Sequence, residues 1–250
     1  MDNNIYLERG DVDIYTPAES EVHIYGKNKT KCETDSKGYA TPRNRKPTEI
    51  VLDASEGFIP LWEKDVILRW RFNPSLYNFF QSPTEAMNGI REVLGKGILK
   101  WEDAAPVKFR EGYDAWDFEI IVKKDNCDPR GCTLASAFFP DAGRHELVIY
   151  PKMFDLSEEE QIETMAHELG HIFGLRHFFA EISEQFFPSV KFGEHKPFSI
   201  MNYGDESQMT ENDINDLKLL YEKVWSGELK EINGTPIRTF YPYHMSGELV

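Results

Sequence analysis

Cysteine is scarce in this chain, with 3 in 250 residues. That is too few for a framework of disulfides standing in for a core. Basic residues are also short: 28 Lys and Arg stand against 43 Asp and Glu, a formal net charge of −15. Phosphate recognition needs clustered Lys and Arg, so this balance argues against nucleic acid as the partner. No run of 18 apolar residues exists, which excludes a membrane-spanning helix. The chain opens Met1-Asp2-Asn3-Asn4 with neither a basic n-region nor an apolar h-region, so no secretory leader is read in it. On that reading the protein is either intracellular or separated from its leader. No internal repeat is visible. Aromatics, by contrast, are plentiful: 17 Phe, 11 Tyr and 5 Trp. They point to a packed fold where the charge alone would allow disorder, and the length suits one large domain or two small ones.

Residues 1–60 are polar and broken by Pro17, Pro42, Pro47, Gly26 and Gly38, and they read as an extended arm. Regular structure is expected from Val66 to Phe72, whose alternation suits a half-buried strand. Ser82, Pro83 and Glu85 form an N-terminal helix signature, and the apolar face that follows carries the helix through Glu102. Short strands are expected at Val107–Arg110, Phe118–Lys123, Thr133–Phe139 and Glu146–Tyr150. A second helix opens at Ser157, with Glu160 completing a capping box, and runs to about Phe173. Thr210 and Asp213 cap a third over Glu211–Val224, and the last 25 residues read as a tail packed on the surface. This order is an α+β architecture with a mixed sheet.

The second helix carries His167-Glu168-Leu169-Gly170-His171-Ile172-Phe173-Gly174-Leu175-Arg176-His177, the pattern HExxHxxGxxH. His167 and His171, four apart, project from one helical face and can bind one Zn²⁺. Glu168 lies one position round and stands beside the metal as a general base. Gly174 tolerates a left-handed backbone, which ends the helix and lets His177 return to the same ion. Three imidazoles leave a fourth position open, as in a catalytic rather than a structural zinc site. A fortuitous match of five specified residues in a chain this long has a chance on the order of one in a hundred thousand.

Further on stands Ser199-Ile200-Met201-Asn202-Tyr203. With the histidine motif, it makes the sequence resemble the metzincin zinc metallopeptidases. The resemblance implies a metzincin catalytic domain: a twisted mixed β-sheet, an active-site helix and a C-terminal helix. It implies that Met201 occupies the Met-turn beneath the ligands. In the astacin and serralysin branches a Tyr two residues after this Met holds the oxyanion, and Tyr203 occupies that place. The alternative for Tyr203 is local packing and hydrogen bonding. Leu99-Lys100-Trp101-Glu102, Leu134-Ala135-Ser136-Ala137-Phe138-Phe139 and Asp213-Ile214-Asn215 are similar to matrixin segments, over roughly residues 66–224. The implied organisation is an extension over 1–60, a catalytic domain over 61–225 with its lower part after about 174, and a tail over 226–250.

Ser136 and Leu147-Val148-Ile149 replace the polar ligands of the second, structural zinc of matrixins, so one catalytic Zn²⁺ is expected. Cys127 and Cys132 flank that place, either as a small disulfide loop or as two reduced thiols. Cys32 lacks the usual surroundings of a matrixin latency cysteine. The implied activity is that of a zinc-dependent endopeptidase: Glu168 takes a proton from zinc-bound water and returns it to the leaving amine. The expected partner is a protein or peptide lying extended along an edge strand near Leu134–Phe139 of a monomeric enzyme. The family resemblance suggests an extracellular location. The competing class is a catalytically silent zinc-binding protein on the same scaffold.

Overall fold

The structure is a computed structural model, and it describes residues 5–6, 30–32, 50–54, 57–124, 127–128, 131–177, 189–192, 199–201 and 208–245. Three short strands come first: β1 (Thr30–Cys32), β2 (Ile50–Asp53) and β3 (Ile59–Trp62). They are followed by β4 (Ile67–Phe72), a short helix α1 (Leu76–Phe79) and the long helix α2 (Pro83–Lys100). Next come β5 (Lys108–Glu111), β6 (Phe118–Val122), β7 (Cys127–Asp128), β8 (Gly131–Ser136) and β9 (His145–Ile149). The zinc-motif helix is α3 (Glu158–Ile172), followed by β10 (Leu175–Arg176) and β11 (Ser189–Phe192). The C-terminal helix α4 (Glu211–Trp225) leads into β12 (Glu231–Ile232) and β13 (Thr235–Phe240).

The main sheet runs β1-β8-β9-β6-β4-β5, with β7 also on β8. β5, β4, β6 and β9 are mutually parallel, and β8 runs antiparallel to β9. This is the α+β architecture of a metzincin catalytic domain. In β4 the alternation is plain: Leu68, Trp70 and Phe72 are buried while Arg69 and Arg71 are half-buried. β6 is central, with Phe118, Ile120 and Val122 buried and Glu119 paired to Arg71 at 2.7 Å. Helices α2 and α3 pack against each other, and both contribute to the one apolar core. Each large side chain so buried contributes roughly 1.5–3 kcal/mol.

Two capping boxes form as the local sequence implies: Ser157 with Glu160, and Thr210 with Asp213. The one expected at Ser82 and Glu85 does not. Ser82 sits at ψ 72°, against ψ 156° for Ser157 and 157° for Thr210, and its hydroxyl makes no cap bond. The proline that follows restricts Ser82, and Pro83 itself starts the helix. The same helix stops at Lys100, two residues early, because Glu102 takes φ 49°.

Strand β8 has neighbours on both sides. β9 pairs with one edge, and β1 lies parallel along the other, with Lys31 opposite Thr133 and Cys32 opposite Ala135. Part of the N-terminal extension thus covers the strand on which a substrate was expected. A second piece, β2, is the middle strand of a small sheet, β10-β2-β11. The tail is not merely extended, because β13 pairs with β3 in parallel register. No described helix is long and apolar enough to cross a membrane.

Candidate metal centre

Helix α3 is the base of the site. Ser157 caps it, and Glu158, Glu159 and Glu160 occupy its first turn, where negative charge meets the positive end of the helix dipole. Lys100 of α2 reaches Glu159 and Glu163 at 2.7 Å each, and Lys96 pairs with Glu92 and Glu158. The acidic residues that dominate the net charge here clothe the outer face of α3, while its inner face carries the motif.

His167 and His171 project from successive turns and are 7% and 0% exposed. The helix ends just beyond them. Gly174 adopts φ 93°, and a Cβ there would lie 2.9 Å from Pro60 O and 3.0 Å from Leu61 Cδ2. Both backbone conformation and space therefore demand glycine. The reversal sends the chain through β10 and delivers His177, 1% exposed, back to the helix face.

The three Nε2 atoms converge, at 3.0 Å for His167–His177, 3.1 Å for His171–His177 and 3.2 Å for His167–His171. The opposite ring nitrogens of two of them are committed. His167 Nδ1 donates to Ile200 O and His171 Nδ1 to Leu175 O, both at 2.8 Å. A carbonyl oxygen only accepts, so the hydrogen is on Nδ1 and the lone pair of each neutral imidazole is on Nε2. Two such lone pairs facing each other repel unless a cation lies between them. Tetrahedral coordination at ~2.0–2.1 Å puts neighbouring nitrogens ~3.3 Å apart, close to what is seen. The residues fit a zinc ion, and the Nδ1 bonds are the outer partners that orient such ligands. Glu168, beside His167, is 1% exposed. Phe139 meets His171 edge to face, with 5.8 Å between ring centroids.

The turn at Ser199–Met201 closes the floor. Met201 is 4% exposed and its N–H donates to Ser199 Oγ at 3.1 Å. Ser199 Oγ in turn donates to Asp213 Oδ1 at 2.5 Å, and Ile200 N donates to Asp213 Oδ2 at 3.3 Å. Asp213 also completes the capping box of α4, accepting from Thr210 N and Thr210 Oγ1. One carboxylate thus ties the turn to the C-terminal helix. Its capping role is legible from the spacing of Thr210 and Asp213, but its hold on Ser199 is not.

The C-terminal carbonyls of α3 are satisfied from afar. Trp62 Nε1 donates to Ile172 O at 2.7 Å. Tyr221 donates its hydroxyl to Phe173 O at 3.0 Å and accepts from Trp62 N at 3.2 Å. Burial pushes the Tyr221 phenol well above the ordinary tyrosine range, partly opposed by the Trp62 N–H. Trp101 Nε1 donates to Ala166 O at 2.9 Å inside the helix. The long-range partners of these three aromatics carry no sequence signal.

Cys127 and Cys132 are joined by a disulfide across the β7–β8 hairpin, with Cα atoms 4.0 Å apart. Cys32 lies in β1. Tyr203 lies outside the described residues.

The matrixin family model matches residues 69–222. Human stromelysin-3 is 26% identical over an alignment of 122 positions that covers 44% of this chain and 25% of that protein. Rat stromelysin-3 is 26% identical over 121 residues with the same coverage. The chain thus matches about a quarter of the length of these relatives. A solved structure of myroilysin covers 64% of this chain and 82% of its own, at 11% identity and a TM-score of 0.43.

Proposed function

The chain belongs to the matrixin family, and from that premise we propose that it is a zinc-dependent endopeptidase. One observation carries the proposal: three buried imidazole Nε2 atoms lie within 3.2 Å of one another, with two of the rings turned by backbone carbonyls so that their lone pairs face inward. His167, His171 and His177 would hold the ion. Bound there, zinc supplies a Lewis acid for the scissile carbonyl and lowers the pKa of a water toward ~7. Glu168 removes a proton from the attacking water and passes it to the leaving amine nitrogen. Ile200 O and Leu175 O hold two imidazoles in the tautomer and orientation that turn Nε2 toward the ion. In this reading Tyr203 holds the developing oxyanion, and the substrate lies extended along β8 and the residues after it, through Phe139.

The second reading is a silent zinc-binding protein, and it is favoured by β1, which covers the outer edge of β8 from Cys132 to Ala135. One experiment separates the two. The zinc-loaded full chain and Glu168→Ala are incubated with a mixed peptide library, with and without a chelator. Cleavage that the chelator abolishes and the variant lacks supports the peptidase. A chain that binds one equivalent of zinc and cuts nothing is the silent protein.

A further inference from the structure

Strand β2 belongs to the segment that reads as a polar arm, yet it touches the metal centre through one intermediate. It is the middle strand of the small sheet, flanked antiparallel by β10 and β11. Leu52 stands opposite Leu175, and Val51 opposite Arg176. Leu175 is the residue whose carbonyl accepts from His171 Nδ1. Arg176 is the residue before His177. On its other side, β2 pairs Asp53, Leu52, Val51 and Ile50 with Ser189 through Phe192, on the way to the turn whose Ile200 O accepts from His167 Nδ1. Leu52 is 0% exposed, and Leu175 and Arg176 are 2% and 0% exposed.

Between Gly174, where the chain reverses, and His177 only two residues intervene. Such a short bridge does not set its own direction, and its buried backbone groups need partners. The β2 strand supplies them. The Ile50-Val51-Leu52 run suits a strand, being rich in β-branched and bulky apolar residues. The reach from β2 to the ion is then one ladder pair, one carbonyl and one imidazole.

We propose that β2 is a positioning element of the metal centre: by pairing with Leu175–Arg176 it fixes the carbonyl that orients His171 and the path that delivers His177. The proposal rests on the zinc reading above. It makes residues 50–53 a working part of the site, not a removable arm. Outer partners of metal-bound histidines typically alter affinity ~10- to 100-fold when lost, and that is the effect assigned to β2.

The test uses the full chain with Leu52→Pro, which removes a ladder N–H from a central strand, and Leu52→Ile, which keeps it. Ile120→Ala in β6 serves as a core truncation remote from β2. Zinc affinity is measured by competition with a chromophoric chelator, ligand geometry by the visible spectrum of the cobalt-substituted protein, and folding by near-ultraviolet circular dichroism. The expected result is a ~10- to 100-fold loss of zinc affinity in Leu52→Pro with an altered cobalt spectrum. Leu52→Ile should restore both, and Ile120→Ala should lose thermal stability but keep affinity and spectrum. Unchanged zinc affinity in folded Leu52→Pro overturns the proposal, as does an equal loss in Ile120→Ala. Should Leu52→Pro fail to fold, amide exchange on the native chain decides. Zinc must then slow exchange at Val51–Leu52 together with Leu175–Arg176, and protection at Leu175–Arg176 alone overturns the proposal. A native chain that binds no zinc instead defeats the zinc reading itself. One that binds zinc without cutting peptides defeats only the peptidase.

Discussion

Met201 fills the space that Gly170 leaves open. A Cβ built on Gly170 would fall inside contact distance of Met201 Sδ and lie 3.2 Å from both Met201 Cε and Trp101 Cζ2. Gly170 stands on α3 between the two helical histidines, so the turn approaches the helix where the imidazoles leave it. Gly170→Ala should therefore overpack the floor of the site and cost ~1–3 kcal/mol, read as a lower urea midpoint at unchanged slope. The displaced turn carries Ile200 O, so zinc affinity should fall as well. A variant as stable as the native chain and equally tight for zinc would show that Met201 has slack to move.

Tyr221 bridges Trp62 N and Phe173 O from within the core. Tyr221→Phe leaves both backbone groups buried without that partner, a loss of ~1–3 kcal/mol in chemical denaturation. The pH dependence has a definite sign. The folded phenol is held neutral above the pH at which an unfolded tyrosine ionises, near ~10. Above that pH the unfolded state binds fewer protons than the folded one, so stability falls as pH rises. Below ~10 this group contributes no slope. The native chain should lose stability between pH 9 and 11 more steeply than Tyr221→Phe, and parallel profiles would refute the assignment.

Much of the site was legible because it is local. The i, i+4 spacing of His167 and His171, the glycine at 174 and the two capping boxes each depend on neighbours within one or two turns. The boundaries of α3 and α4 follow from the same short-range chemistry. What was not legible joins distant segments. Trp62 reaches Ile172 across 110 residues of chain and Tyr221 across 159. Asp213 meets Ser199 only because α4 folds back under the turn. Strands β1 and β2, of three and four residues, carry too few residues for a period to be seen, and only the ladder shows what they pair with. The capping box at Ser82 failed for a local reason, the proline immediately after it.

Tyr6 anchors the start of the chain on α2. Its ring stacks on Phe154 with centroids 4.0 Å apart and meets Phe80 edge-on at 6.1 Å. A Cβ at Gly89 would strike the Tyr6 hydroxyl and come within 3.0 Å of Ile5 Cδ1. Gly89→Leu should expel Tyr6 while raising the helix propensity of α2 by ~1 kcal/mol. The aromatic contact is worth ~0.5–1.5 kcal/mol, so limited proteolysis before Thr30 should speed up ~3- to 10-fold with no fall in melting temperature. Unchanged cleavage would mean that Tyr6 does not hold the segment down.

The same segment meets the proposed substrate path at β1. Thr30, Lys31 and Cys32 lie along β8 opposite Cys132, Thr133 and Ala135, the edge to which an extended peptide would add. Two strands cannot share one row of backbone donors and acceptors, so β1 and substrate compete. Lys31→Pro deletes an N–H from the middle of a three-residue strand, too short to pair once broken. The net gain from a backbone pair or two is ~1–1.5 kcal/mol, so kcat/KM on an extended peptide should rise about ten-fold. Zinc affinity should not change, since among the described residues β1 makes no ladder with the ligand-bearing segments. A rise in kcat/KM carried by KM identifies β1 as a competitor for the edge. If turnover stays at the native level, the peptide binds elsewhere, along residues after Ala135.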